Sequence, residues 1–218
     1  MKNNKKYVPE VADLGFPPRE GGYAKGHETR EEVLRQALAI LVEEGYRAMT
    51  MRRVAGACGM KFGNLTYHFP TKEDLVRELL EAVIASYERA FDEMLGIADP
   101  DPKKRLVEYC TLILQDIRTK KTTRVFPELW ALANHDPFVQ ARVHDLYRRA
   151  QAPLVQIVAE MRPDLPEYVR HSLVLHISFS MEGTTPFAGY DKPFEPIMPE
   201  LAKVAIHAFL TLVETYPA

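Results

Sequence analysis

The 218-residue sequence has little of what marks secreted, metal-binding or membrane-spanning proteins. Its two cysteines, Cys58 and Cys110, form neither the even framework of a disulfide-rich protein nor a paired Cys/His spacing for zinc. No uninterrupted run approaches the roughly 18 apolar residues that span a bilayer. The basic start MKNNKKYVPE also lacks the apolar segment of a signal peptide. We therefore expect a cytoplasmic protein with two buried thiols.

Motifs of catalysis are missing as well. The sequence contains no nucleophile elbow, no phosphate-binding loop and no zinc-protease motif. His171 and His176 are five residues apart, about 140° around a helix, and no cysteine or carboxylate completes a metal site with them. We expect neither an enzyme nor a bound metal or cofactor.

Charge is distributed unevenly along the chain, although the net charge is only -2. Residues 1–72 contain 12 Lys and Arg against 8 Asp and Glu, a net charge of +4, whereas residues 73–218 contain 16 against 22, a net charge of -6. This basic excess is compatible with a nucleic-acid partner but too small to indicate one alone. We interpret the charge runs at 101–105 and 118–121 as solvated surfaces.

Hydrophobic periodicity predicts an all-α protein without strands. The first helix is expected to begin at a capping box of Thr29 and Glu32 and to stop at Gly45. Thr50 suits the N-cap of a short second helix. Later helices are predicted at about 102–118, 122–134, 137–162, 166–183 and 199–215.

The stretch ACGMKFGNLTYHF, residues 57–69, fits the turn and second helix of a helix-turn-helix. Gly59 can adopt the positive φ of the turn, and a third helix from Lys61 would turn Phe62, Leu65 and Phe69 inward. A fourth helix should start at Pro70 and Thr71 and continue to about Leu95. The residues whose fixed spacing is typical of a helix-turn-helix are Val54, Ala55, Gly59, Met60 and Leu65.

The polar residues around these anchors suit DNA recognition. Asparagine can pair bidentately with adenine, and threonine can contact a thymine methyl group or donate to a base edge. We therefore assign Asn64 and Thr66, together with Lys61, to bases. Phosphate contacts orient a protein on the duplex, and we assign these to Thr50, Arg52, Tyr67, His68 and Lys72.

Residues from about Thr29 to Leu79, centred on TMRRVAGACGMKFGNLTYHFPTKEDL, resemble the N-terminal domain of TetR-family transcriptional regulators. The resemblance is carried by Tyr67, His68, Phe69, Lys72 and Glu73, which match the end of that family's recognition helix and the Lys-Glu pair after it. Asn64 and Thr66 depart from the Thr and Tyr that other members often have, so no relative's operator can be copied.

The resemblance implies a homodimer whose C-terminal domain binds a small molecule. In the family, the ligand moves the fourth helix so that the two DNA-reading heads no longer fit successive major grooves of a palindromic operator. We accordingly divide the chain into a flexible arm at 1–26, a DNA-binding domain at 27–72, and a helical ligand-binding and dimerisation domain at 73–218. The arm could place a Lys or Arg in a minor groove, with Lys25 as the nearest candidate, or it could be disordered.

Two features of the C-terminal two thirds suggest specific roles. The last helix has a continuous apolar stripe, and the segment HSLVLHISFSMEG before it is apolar nearly all round, so we expect these two helices to form the dimer interface. The candidate pocket residues are aromatic or polarizable with some polar groups, although such residues also occur in plain cores. They are Tyr109, Cys110, Ile113, Phe126, Trp130, His176, Phe179 and Met181.

The sequence thus favours a ligand-responsive DNA-binding regulator, most simply a repressor. Two alternatives stay open at this point. One is a constitutive DNA-binding protein that ignores metabolites. The other is a helical small-molecule-binding protein or enzyme whose helix-turn-helix is vestigial.

Overall fold

The structure, a computed structural model, describes residues 11–16, 24–96 and 99–218. Within these residues all regular secondary structure is helical, as the periodicity predicts. The α-helices are α1 (Ala24–Glu44), α2 (Met51–Ala57), α3 (Phe62–His68), α4 (Lys72–Gly96), α5 (Pro102–Asp116), α6 (Lys120–Ala133), α7 (Pro137–Met161), α8 (Glu167–Glu182), α9 (Thr185–Ala188) and α10 (Met198–Thr215). A 3₁₀ turn, Glu195–Ile197, leads into α10.

Tertiary contacts divide the chain into two compact units. The N-terminal unit comprises Ala12–Tyr87 and Arg124–Leu146, and the C-terminal unit comprises Val11, Glu88–Thr123 and Tyr147–Ala218. These units are defined by contacts between residues. The domain boundaries in the sequence analysis, at 1–26, 27–72 and 73–218, were defined by expected function, and they stay predictions. Most of the predicted arm, residues 1–10 and 17–23, lies outside the described residues.

The N-terminal unit contains the predicted helix-turn-helix and the apolar stripes that pack behind it. The stripes of α1 and α4 are buried as predicted, because residues at i, i+3, i+4 and i+7 share one helix face. Their buried members are Val33, Leu34, Ala37, Leu38, Leu41, Leu75, Leu79, Val83 and Ile84. Leu65 and Phe69 are fully buried and anchor α3 from beneath.

Two local predictions about this unit are wrong. Because α1 begins at Ala24, Thr29 lies inside the helix, where its hydroxyl donates to the Lys25 carbonyl (2.8 Å) instead of capping the N-terminus. Phe62 is 47% exposed rather than inward, since it occupies the first position of α3 and its ring lies 5.8 Å from the Arg52 guanidinium. Lys25, which the sequence analysis placed in the N-terminal arm, is also part of α1.

Residues 11–16 include a close approach of the chain to α4. The Gly15 N–H donates to the Ala82 carbonyl (2.7 Å). A Cβ on Gly15 would lie 2.7 Å from the Ala85 carbonyl carbon, so only glycine fits this position without backbone displacement. This part of the predicted arm therefore packs against the helix.

The C-terminal unit packs α5, α8 and α10 around a common core. Core members include Leu106, Cys110, Leu154, Ile157, Val174, Ile177 and Val213. The Arg162 Nη1 donates to the carbonyls of Val213 (2.8 Å) and Tyr216 (2.9 Å), which ties the end of α10 to the end of α7. These two hydrogen bonds satisfy carbonyl groups that a helix C-terminus otherwise leaves without partners.

The charge runs predicted to be solvated are partly buried. Arg105 is 9% exposed and pairs with Glu160, and Lys121 is 7% exposed with its Nζ 3.9 Å from Asp116 Oδ1. The sequence interpretation was wrong for these two residues because each has a carboxylate partner, which is Glu160 on α7 for Arg105 and Asp116 at the end of α5 for Lys121. Burial of a charge is tolerated only with such a partner.

Helix α10 has an unusual composition for its exposure. The segment Glu195–Thr215 is long and apolar enough to cross a membrane by length and composition alone, and 17% of an 18-residue window within it is buried. The sequence analysis searched only for uninterrupted apolar runs and therefore did not detect this segment. This finding is weak evidence for a membrane span, because core helices of soluble proteins meet the same test. It does show that α10 presents apolar side chains at the surface of a single chain.

Two glycines of the helix-turn-helix provide a matched test of the predicted turn. Gly59 has φ +63°, as expected, and a Cβ at Gly59 or at Gly56 within α2 would meet nothing within 4 Å. Gly59→Ala should therefore lower the free energy of unfolding by about 1 kcal/mol through backbone strain. Gly56→Ala should raise it by about 0.5–1 kcal/mol, because the unfolded chain loses freedom. Urea denaturation measures both, and effects of the same sign would contradict the assigned turn.

Candidate functional site

Helix α2 begins at a well-formed cap. Thr50 has extended backbone angles, and its Oγ1 accepts a hydrogen bond from the Arg53 N–H (3.1 Å), as the sequence predicts for an N-cap. Arg52 and Arg53 are both exposed, and Arg53 pairs with Glu44 (2.6 Å). The hydroxyl of Thr50 thus already has a structural role, and Arg52 is the freer of the two cations to approach a phosphate.

The turn between α2 and α3 is held by main-chain hydrogen bonds. The Gly59 N–H donates to the Gly56 carbonyl (3.1 Å), and the Met60 N–H donates to the Ala55 carbonyl (3.0 Å). Ala55 is buried and Met60 is half-buried. These contacts set the direction in which α3 leaves the turn.

Helix α3 turns a polar side outward. Lys61 at its N-cap, Asn64 and Tyr67 are exposed, and the Tyr67 side chain is 84% exposed. Thr66 is half-buried, and its Oγ1 donates to the Gly63 carbonyl (3.1 Å), so it is less available to a base edge than Asn64. We call Lys61, Asn64 and Tyr67 the α3 ridge.

The C-terminal end of α3 is held by Arg30, which the sequence analysis did not identify. Its Nη1 donates to the His68 carbonyl (2.5 Å), its Nη2 pairs with Glu78 of α4, and its guanidinium lies 4.4 Å from the centre of the Phe69 ring. Arg30 therefore connects α1, the end of α3 and α4. A sequence signal existed, because Arg30 lies on the same helix face as Leu34, Ala37 and Leu41.

The electrostatics at this end of α3 depend on the same arginine. Burial lowers the pKa of the His68 imidazole, and the nearby positive charge of Arg30 lowers it further. The neutral imidazole is thus favoured, and His68 would meet a phosphate as a neutral hydrogen-bond donor.

Lys72 is engaged within the protein. Its Nζ donates to the Tyr46 carbonyl (3.2 Å) and lies 3.7 Å from the centre of the Tyr46 ring. Burial lowers the pKa of Lys72, and the charge of Glu73 opposes this effect. The contact of Lys72 with DNA stays a prediction, and the ammonium group also fixes the segment between α1 and α2.

The predicted pocket residues do not form one set. Tyr109, Cys110, Ile113 and Met181 are buried in the C-terminal unit, whereas Phe126 is buried and Trp130 half-buried in the N-terminal unit. Tyr109 stacks on Phe91 (5.4 Å between ring centres), and its hydroxyl donates to the Ala150 carbonyl (2.9 Å). A plain core position accounts for such contacts, and a ligand role stays a prediction.

His176 and Phe179 lie on the outer side of α8. His176 is exposed and Phe179 is 61% exposed, whereas Met181 is 2% exposed. At about 100° per residue, the first two share a face that is opposite to Met181. The structure therefore does not bring them together with the buried residues, because the helix has an inner side that one chain fills and an outer side that it leaves exposed.

A buried polar cluster in the C-terminal unit was not predicted. The Thr122 hydroxyl donates to Asp116 Oδ2 (2.7 Å), the Lys121 Nζ is 3.9 Å from the other Asp116 oxygen, and the Tyr147 side chain donates to Glu182. Burial raises the pKa of Glu182 to about 7, with a further contribution from the negative charge of Asp116. We call Asp116, Lys121, Tyr147 and Glu182 the acidic cluster.

Comparison with known proteins decides the family. Residues 33–79 match the sequence profile described as "Bacterial regulatory proteins, tetR family", and residues 102–172 match the profile "BetI-type transcriptional repressor, C-terminal". The chain belongs to the TetR family. The first profile covers α2, α3 and the α3 ridge, and this family is regulatory rather than enzymatic.

Individual relatives agree with this assignment. The transcriptional repressor KstR2 of Mycobacterium tuberculosis is 42% identical over 55 residues, which are 25% of this chain and 28% of KstR2. The nucleoid occlusion factor SlmA of Citrobacter koseri is 30% identical over 136 residues, 61% of this chain and 67% of SlmA. A TetR-family regulator structure from Mesorhizobium loti aligns with TM-score 0.70 at 16% identity, covering 87% of this chain and 98% of that one. The match thus spans well under half of KstR2, and the structural likeness concerns the fold.

Proposed function

We propose that this TetR-family protein is a homodimeric DNA-binding repressor that a small molecule releases from a palindromic operator. The observation that carries the proposal is the α3 ridge, an exposed polar surface held by the fully buried Leu65 and Phe69. A helix of this kind can enter a major groove, where base edges are distinguishable. Such a repressor would act in the cytoplasm, where DNA is accessible.

Dimerisation through α8 and α10 is supported by their exposed apolar side chains. Phe179 and Val204 are each 61% exposed, and Leu201 is 36% exposed. A groove of about 290 Å³ also opens between the two helices, and it is lined by Val169, Ser172, Leu173, His176, Leu212 and Tyr216. A second copy of the chain would cover these surfaces, which a monomer leaves in water.

The DNA contacts can be tested by two substitutions on the α3 ridge. Asn64→Ala should cost about 1–3 kcal/mol per half-site and relax base preference at one operator position. Tyr67→Phe removes only a hydroxyl, so it should weaken specific and random duplexes alike. Fluorescence anisotropy of the full chain against a promoter-proximal duplex and its shuffled version measures both effects over a salt series.

The control for this pair is Gln156→Ala, which changes an exposed residue of α7, outside the N-terminal unit and outside the two helices of the proposed dimer interface. Equal affinities of Asn64→Ala and the unsubstituted protein for every duplex would remove the base contact. Absence of any salt-dependent DNA affinity would instead favour a helical small-molecule binder. A complex that no cellular metabolite releases would favour a constitutive DNA-binding protein.

A further inference from the structure

Lys72, one of the predicted phosphate contacts, is held by an aromatic residue that the sequence analysis did not identify. Its Nζ lies 3.7 Å from the centre of the Tyr46 ring and donates to the Tyr46 carbonyl (3.2 Å). Tyr46 lies four residues before Thr50, the N-cap of α2, and Lys72 lies four residues after His68, the last residue of α3. The contact therefore joins the segment that enters the helix-turn-helix to the segment that leaves it.

The backbone of Tyr46 is anchored to α6. Its N–H donates to Glu128 Oε2 (3.2 Å), and the preceding Gly45 has φ +82°, a conformation that favours glycine. A Cβ at Gly45 would lie 3.0 Å from the other carboxylate oxygen of Glu128, so the chain approaches α6 closely at this point. These contacts fix the place at which the Tyr46 ring and carbonyl meet the ammonium group.

Tyr46 holds the ammonium group of Lys72 without neutralising its charge. A ring face attracts a cation through its quadrupole and a carbonyl does so through its dipole, and neither carries a net charge. Burial raises the pKa of the Tyr46 hydroxyl, and the charges of Asp136 and Glu73 raise it further, so the phenol stays neutral. Glu73 also acts on Lys72 through its charge, but within the described part of the chain no carboxylate forms an ion pair with this lysine. The positive charge therefore remains available to a phosphate.

We propose that Tyr46 is a positioning residue for the phosphate contact of Lys72. The inference rests on the proposed DNA-binding function and adds a residue that acts on DNA only through the lysine. A mobile lysine side chain has to be ordered when it binds a phosphate, and this ordering lowers affinity, whereas Lys72 is already ordered by Tyr46. An ammonium group has three N–H donors, and the Tyr46 carbonyl uses one of them, so a donor remains for a phosphate oxygen.

Two substitutions at Tyr46 separate the ring from the hydroxyl. Tyr46→Leu removes the ring face, whereas Tyr46→Phe keeps it. With two subunits on one operator, Tyr46→Leu should weaken DNA binding by about fivefold or more, and Tyr46→Phe should leave it unchanged. The loss should be equal for the operator and for a random duplex, because phosphate contacts carry no sequence information. A substitution that displaced α3 would instead weaken operator binding more than random binding.

A double-mutant cycle with Lys72→Ala separates positioning from a general effect on the loop. In the Lys72→Ala background, Tyr46→Leu should change DNA affinity by less than about twofold, because no ammonium group is left to position. Lys72→Ala should also reduce the slope of log affinity against log salt by about 2 for a dimer with one such phosphate contact per subunit. Fluorescence anisotropy of the full-length proteins over a salt series measures these effects, and urea denaturation checks that each variant is folded.

Two further readouts cover the case in which Tyr46→Leu does not fold. Trifluorophenylalanine in place of Tyr46 keeps the ring but withdraws electron density from its face, so it should weaken DNA binding as Tyr46→Leu does. In the unsubstituted protein without DNA, NMR should show the ε-protons of Lys72 shifted upfield by the ring current of Tyr46. The absence of this shift would refute the contact itself.

The outcomes distinguish the positioning role from the proposed repressor. Unchanged affinity of Tyr46→Leu, or an equal loss in the Lys72→Ala background, would overturn the positioning role and leave the repressor intact. Tighter DNA binding by Tyr46→Leu would also overturn it, because the ring would then withhold the lysine from phosphate. Absence of any salt-dependent DNA affinity in the unsubstituted protein would contradict the repressor, and the positioning role would fall with it.

Discussion

Arg30→Ala is expected to weaken specific operator binding by about tenfold or more and to lower the free energy of unfolding by about 2–3 kcal/mol. The substitution removes a charged donor to the His68 carbonyl, the pair with Glu78 and the contact over Phe69. Hydrogen bonds to charged groups are worth about 1.5–3 kcal/mol, and only a quarter of the Arg30 side chain is exposed to weaken them. Urea denaturation and anisotropy measure the two effects.

Affinity for a random duplex separates positioning from general unfolding. If Arg30 positions α3, the affinity of Arg30→Ala for the operator should fall more than its affinity for a random duplex. Base contacts depend on the placement of the helix more than phosphate contacts do. Arg30→Lys should recover part of the lost operator affinity and stability. Its ammonium group keeps the charge but lacks the planar pair of nitrogens that contacts the His68 carbonyl and Glu78 at the same time. Arg35→Ala is the control on the same helix, and its half-exposed pair with Glu31 should contribute less than about 1 kcal/mol. Equal stability of Arg30→Ala and Arg35→Ala would contradict this role.

Glu182→Gln is expected to remove a pH dependence of stability that the unsubstituted protein shows. The folded pKa of Glu182, about 7, lies above its ordinary value of 4.5, so the folded state binds the proton more tightly than the unfolded state. The stability that this group contributes is therefore complete below pH about 4.5 and is lost as pH rises through about 7. The shift corresponds to about 3 kcal/mol at most.

The measurement is the difference in free energy of unfolding between Glu182→Gln and the unsubstituted protein at pH about 4.5 and about 8. Taking this difference cancels other groups that titrate in both proteins, including His68. Glu160→Gln is the matched control, because a hydrogen bond from Arg105 lowers the pKa of Glu160 and leaves it ionised over most of this range. A difference that stays constant with pH would show that Glu182 is not a buried carboxylate of raised pKa.

The fold was largely predictable because the helices depend on local patterns. Apolar residues recurring with helical period placed the buried stripes of α1 and α4, and residues with special backbone behaviour placed the turns. Gly45 and Gly59 have φ +82° and +63°, and Thr71 and Asp74 exchange the hydrogen bonds of a helix cap. Thr29 misled the prediction because a local capping pattern cannot reveal that a helix already began five residues earlier.

The sites were less predictable because they depend on partners distant in sequence. Arg30 and Glu78 are 48 residues apart, and Arg105, which was predicted to be a solvated surface charge, pairs with Glu160, 55 residues away. Glu182 ends an apolar segment, and no local pattern distinguishes a buried carboxylate from a solvated one at a helix end. His176 and Phe179 were assigned to the same pocket as the buried residues because a helix that is apolar all round gives no indication of which side faces its own core.

Hydroxyl-radical footprinting of the full-length protein on promoter-proximal DNA tests the central claim most directly. If the α3 ridges of two subunits enter successive major grooves, two protected patches should appear on one face of the duplex, about 10 base pairs apart. A variant with Asn64→Ala and Tyr67→Ala should lose both patches together. A single patch, or unchanged protection by this variant, would contradict recognition through α3.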